Sequence, residues 1–439
     1  MSAASLAGAL LVALLGSAAA QQPAADTTPK PPAGTPAPGA QSGAPGTAPT
    51  TPQPLPGEPR CGFCKTTGRV PFDMDPAFVL EQDKGDTWTT QFCSVALESD
   101  NMGLPWEPCP RCKTPSLHAI AQKEWDDHKA AGDEWLKERR KVDALTKVDE
   151  PLVQVQTTHF LIVWNIPRIT TVDKKNYDAH AAAHLYARRM EAFYARFQTM
   201  FGITDANNMK NVHTIMVFEK PEQQAAAAPA YTGLDGFPTV KRSGGAHHES
   251  TIVTWWDKSE FPKEVDMWRH QIHNIVHQLT AIYYDPKWFK VGEIGLSPPW
   301  LNDKYGWLDE GLAHWFEIDF DKVARTYCIR EANVDSRWGG SDWRKNIFKA
   351  VSDGDIPPFA EIILKASPAL SAKENQFCWS WVDYLLKLDT LAMGKALKLC
   401  KQKVQTRDIL KECWNIQLID FEAQWKEWVL ETYAPTNKK

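Results

Sequence analysis

The sequence predicts an α+β chain, on three observations. Apolar runs of strand length fall between residues 158 and 256, helical periodicity dominates from residue 262 to the C-terminus, and the strand-like runs show no regular β-α-β alternation. With 43% hydrophobic and 11% aromatic residues over 439 positions, the chain can bury a sizeable core. At ~100–200 residues per domain it suggests two or three units. The 19 tryptophans are read as core and helix-contact residues.

In chain order, residues 1–20 hold one short apolar run ending in Ala18-Ala19-Ala20. Its length and small-residue end fit a signal peptide, with an uncleaved N-terminal membrane anchor as the alternative, although no Lys or Arg precedes it. The expected location is therefore exported: periplasmic, cell envelope or secreted. Residues 21–59 are a Pro/Ala/Thr-rich linker with almost nothing to bury, hence an extended tether.

Residues 60–115 carry two CxxC pairs, Cys61/Cys64 and Cys109/Cys112. Each pair can form a knuckle aiming two thiolates at one ion, and Gly68 and Pro110 suit the turns. Together they resemble a zinc ribbon with a structural four-cysteine zinc site, oxidation to disulfides being the alternative in an exported chain. Four thiolates leave no open coordination position for catalysis.

Residues 116–150 read as a long charged connecting helix. Within the next unit, 151–260, the spans 159–165, 212–218 and 251–256 read as strands, 177–201 as a helix and 225–245 as a loop. His180 and His184 stand four apart with no third ligand near them in sequence, and are read as helix surface or core.

The last unit, 261–435, opens with Pro262 in the first turn of a helix running to about residue 284. At about 100° per residue, His270, His273 and His277 fall within an arc of roughly 60° with Asn274 beside them. Trp268, Ile272, Ile275, Val276 and Leu279 gather opposite. A second segment divides alike, with Leu308, Leu312, Trp315 and Phe316 opposite Glu310, His314 and Glu317. Both helices are expected to bury one face and turn their metal-ligand types away from the core. Helices are also expected at 342–351, 358–365, 376–388, 394–400, 407–414 and 421–433.

His273-Asn274-Ile-Val-His277, Trp307-Leu-Asp-Glu310-Gly-Leu-Ala313 and Phe377-Cys-Trp-Ser-Trp-Val-Asp-Tyr384 resemble the gluzincin clan of zinc metallopeptidases, which includes thermolysin, and especially the bacterial peptidase MA-like proteins. The resemblance covers about 155–435. It implies a thermolysin-like domain, a small mixed sheet with a largely helical C-terminal half, and a catalytic-type zinc held by His273, His277 and Glu310.

One position departs from the pattern: the second residue of the family's HExxH is the general base, and here it is Asn274. An amide can orient a water but cannot take its proton, and general-base catalysis contributes ~10²–10⁴ in rate. The leading reading is a pseudopeptidase that binds zinc and, as a possible ligand, a peptide or protein. An active hydrolase using His270 as base, with Tyr384 at an oxyanion, is the alternative. A metal-free scaffolding protein of the cell envelope is the third. His314 and Glu317 are expected to orient the ligands from behind. A net charge of −5, a pI near 6.2 and no Lys/Arg block give no footprint for nucleic acid.

Overall fold

The computed structural model describes residues 53–71, 90–98, 106–146, 152–205, 212–232, 251–256, 258, 261–282, 305–324, 338 and 342–435. The N-terminal apolar run and most of the tether lie outside these. So does residue 284, the expected end of the histidine helix.

β1 (Arg69–Pro71), β2 (Phe92–Cys93), α1 (Ser94–Glu98), β3 (Trp106–Pro108) and α2 (Pro115–Thr146) come first. β1 and β3 pair antiparallel, Arg69 opposite Pro108, which brings the two CxxC segments together. β4 (Val153–Gln156), β5 (Phe160–Trp164), the antiparallel pair β6 (Arg168–Thr170) and β7 (Asn176–Asp178), α3 (Ala179–Phe201), β8 (His213–Phe218), α4 (Pro221–Thr232) and β9 (Thr251–Trp255) follow.

The five-stranded sheet has the order β2-β4-β5-β8-β9. Its first pairings are antiparallel, and β5-β8 and β8-β9 are parallel. The class is thus mixed α+β, but the expectation of no β-α-β alternation is overturned: β5-α3-β8 and β8-α4-β9 are both parallel strands joined through a helix. The expected loop from Ala225 is helical as far as Thr232, because an alanine run after a proline at the first helical position is a strong helix start.

All five residues of β5 are buried, and the strand's period of two divides them between two cores. Phe160, Ile162 and Trp164 face the large core with α3 and the C-terminal helices, while Leu161 and Val163 join Met216, Phe218 and Val253 on the other side. Six tryptophans (164, 307, 343, 379, 381 and 425) are fully buried, consistent with the core reading.

The rest is helical: α5 (Glu264–Ile282), α6 (Gly306–Asp321), α7 (Trp343–Asp353), α8 (Phe359–Ile362), α9 (Ala372–Leu388), α10 (Thr390–Lys401), α11 (Thr406–Trp414) and α12 (Leu418–Thr432). α9 starts earlier than expected because Ser371 and Glu374 form a capping box. α6 is sandwiched between α5 and α9. The expectation that α5 and α6 turn their polar faces away from the core is also overturned. His270, His273, Asn274, Glu310, His314 and Glu317 are all buried, because the polar face of α5 packs on that of α6.

Candidate metal centre

The α5–α6 contact gathers three imidazoles about one carboxylate oxygen. Nε2 of His273 and of His277 each lie 3.7 Å from Glu310 Oε2, and Nε2 of His314 lies 3.8 Å from it. The two α5 nitrogens are 3.0 Å apart. For metal bonds of ~2.0–2.1 Å, tetrahedral donors stand about 3.3–3.4 Å apart, and these separations of 3.0 to 3.8 Å bracket that edge. His273, Glu310 and His314 form one group of potential metal ligands, and His277, Asp309 and Glu310 another.

The far nitrogens explain the aim. Nδ1 of His273 lies 3.4 Å and Nδ1 of His314 3.3 Å from Glu317 Oε2, while Nδ1 of His277 lies 3.0 Å from Asp309 Oδ2. Asp309 in turn accepts from the Thr280 hydroxyl at 2.9 Å and the Ser367 hydroxyl at 3.3 Å. A carboxylate within 3.0–3.4 Å of each Nδ1 favours the tautomer with the proton on that nitrogen and the Nε2 lone pair turned inward.

Electrostatics match this. Burial, seconded by the charges of His277 and His314, drives the His273 pKa well below the ordinary imidazole value, leaving the ring neutral as a ligand must be. Burial opposes ionisation of Glu317 and Asp309, yet their histidine partners outweigh it and hold both carboxyls below the usual range.

The remaining expected site residues sit elsewhere. The Asn274 amide donates to His270 Nε2 at 3.0 Å, and the His270 ring stacks on Phe261 with centroids 4.7 Å apart. His270 therefore does not join the donor cluster. Nor does Tyr384: its hydroxyl lies 3.4 Å from Gln424 Oε1 and its ring packs toward Phe421 and Trp428 of α12. Its position on α9 faces that helix and not α6. Trp343, 4.8 Å from the His314 ring, also lines a cavity of about 290 Å³ with Trp315, Trp379, Arg344 and Asp383.

The four CxxC sulfurs all lie within 4.8 Å of one another, with Cys64 and Cys112 Sγ 3.8 Å apart. That is the edge expected from ~2.3 Å metal–sulfur bonds and far from the ~2.05 Å of a disulfide. Gly68 has φ +75°, and a Cβ there would meet the Leu117 carbonyl oxygen at 2.3 Å, so the turn requires glycine. Backbone N–H groups of Cys64 and Lys113 pull the Cys61 thiol down to about 6, whereas burial and the Cys64 sulfur push Cys109 up to about 11. Four sulfurs gathered this closely could hold a metal ion, and binding one would favour the thiolate form of each.

A further group was missed in the sequence. Cys93 Sγ lies 3.2 Å from His180 Nε2, which is 3.1 Å from His184 Nε2, so the expectation that no third ligand accompanies the His180/His184 pair is corrected. β2, 87 residues earlier in sequence, brings Cys93 to the first turns of α3. No window of sequence around the histidines could reveal it.

Compared with known proteins, no family model matches the chain and no curated protein is significantly similar to it.

Proposed function

We propose that this chain is a gluzincin-like zinc protein whose peptidase centre has become a closed metal site, a pseudopeptidase that keeps zinc and does not hydrolyse peptides. The observation that carries the reading is the place of His314. A hydrolytic zinc keeps three protein ligands and one position for water. Here His314 Nε2 reaches the same Glu310 oxygen that His273 and His277 approach, and its own Nδ1 is held by Glu317. We assign His314 as a fourth ligand, a role beyond the orienting one expected from sequence. The Asn274 amide, turned to His270, supplies no base. The four-cysteine cluster holds a separate structural zinc in this reading.

Counting zinc per purified chain tests it. His273→Ala is expected to remove one equivalent and leave the cysteine-bound zinc in place. Loss of an orienting residue typically weakens metal affinity ~10–100-fold, so His314→Ala should exceed that range if His314 is a ligand. Peptide hydrolysis by the unmodified chain that disappears with His273→Ala would sink the pseudopeptidase, and unchanged zinc in His273→Ala would sink the site itself.

A further inference from the structure

Cys93, His180 and His184 lie outside both centres assigned above, and their arrangement parallels the one at His273 and His277. In each pair the histidines stand four apart on a helix. Their Nε2 atoms are 3.1 and 3.0 Å apart, and their rings meet edge to face with centroids 4.9 and 4.7 Å apart. Cys93 and His184 are buried and His180 is half-buried.

Three elements hold the group in place. The antiparallel β2-β4 pairing sets Cys93 opposite Val155, and the Asp178 side chain caps α3 by accepting from Ala181 N at 2.8 Å, fixing the turn that carries His180. Thr90 Oγ1 lies 3.4 Å from His184 Nδ1, where it can keep the proton on that nitrogen and leave Nε2 as a donor.

We propose that Cys93, His180 and His184 form a third metal site, a one-sulfur, two-nitrogen set for a thiophilic divalent cation, Zn²⁺ or Cu²⁺. A thiolate with two imidazoles is a donor set both cations accept. On binding, the Cys93 thiol releases its proton to solvent and the thiolate forms the bond to the metal. Among the described residues the set offers three protein donors, one fewer than a closed tetrahedral site uses. The inference does not depend on the metal content of the His273/Glu310 centre.

The test is a Co²⁺ titration of the metal-stripped, fully reduced full-length chain, alongside Cys93→Ala, His180→Gln and His273→Ala. The expected wild-type uptake is three equivalents. Cys93→Ala should take two and lose one-fifth of the thiolate-to-cobalt absorbance, the share of one sulfur in five. His180→Gln, a change at a half-exposed position, should also lose one equivalent, which keeps the test decisive if Cys93→Ala does not fold. One equivalent of copper added to the chain with zinc kept at the four-cysteine cluster should give an intense visible thiolate band that Cys93→Ala lacks if Cu²⁺ is the cation; zinc retained at the site without such a band identifies Zn²⁺. Cobalt uptake that is the same in wild type, Cys93→Ala and His180→Gln overturns the proposal. Loss of an equivalent in His273→Ala alone would uphold the closed centre while rejecting this one.

Discussion

Asp309 and Glu317 settle where three imidazoles point, and each does so from a position beside the ligand motif. Glu317 takes two histidines from different helices, so its removal disturbs both at once, whereas Asp309 holds only His277. Gly311 matters for another reason. A Cβ on it would lie 2.6 Å from the Cys378 carbonyl oxygen and 2.7 Å from Val382 Cγ2, so α6 and α9 touch at the backbone next to Glu310. In an open helix Gly→Ala stabilises by roughly 0.5–1 kcal/mol. Here the nearest atom belongs to a helix backbone, and the overpacking reverses the sign. Gly311→Ala is expected to destabilise by about 1–3 kcal/mol and to loosen metal at Glu310. Thermal denaturation checks the first effect and zinc retention against a chelator the second; a raised melting temperature would show that the two helices have room to part.

Among the elements, the long amphipathic helices were legible because many residues vote for each. The periodicity of 262–284 and of the Glu310 segment predicted α5 and α6 and placed His273, His277 and Glu310 on the polar stripes of their helices. β2, β6 and β7, of two or three residues each, carry too few residues for a period to register. β4 alternates only weakly in sequence and becomes a strand through its partners β2 and β5. The polar stripes of α5 and α6 read as solvent-facing because sequence shows polarity but not what covers it. Asp309 carries no signal of its own in sequence, because its role depends on Thr280 and Ser367 from other elements. The same two helices are locked by Arg269, 3.1 Å from Asp266 within α5 and paired with Asp321 at the end of α6. Arg269 and Asp266 are both buried, so Arg269→Met leaves a buried carboxylate without its cation. Breaking such a pair costs about 3–5 kcal/mol. Urea denaturation should read a loss of that size, and a loss below ~1 kcal/mol would mean that water reaches Asp266.

Across the whole molecule, the described residues belong to one unit, Thr47–Lys439, in which the parallel strands β5 and β8 lie at the heart of the sheet and couple its two cores. None of the described helices is long and apolar enough to cross a membrane. His213 begins β8, fully buried near Phe160 and Tyr194, with centroids 5.4 and 5.9 Å away. Burial, and secondarily the charge of nearby His159, lowers its pKa from 6.5 to about 3. Between those values the unfolded chain accepts a proton that the folded chain refuses. Stability from this group is therefore complete above pH 6.5 and is lost as pH falls toward 3, at a slope of up to ~1.4 kcal/mol per pH unit. Carboxylates also titrate toward the acid end of this window, so the contribution of His213 must be isolated by difference. His213→Phe keeps a ring in the same aromatic contacts without a titrating group. The expected result is a curve of unfolding free energy against pH that is shallower than wild type between pH 4 and 6 by about that slope. Parallel curves would place the proton elsewhere, since a folded chain that binds it as readily as the unfolded one gains no stability on deprotonation.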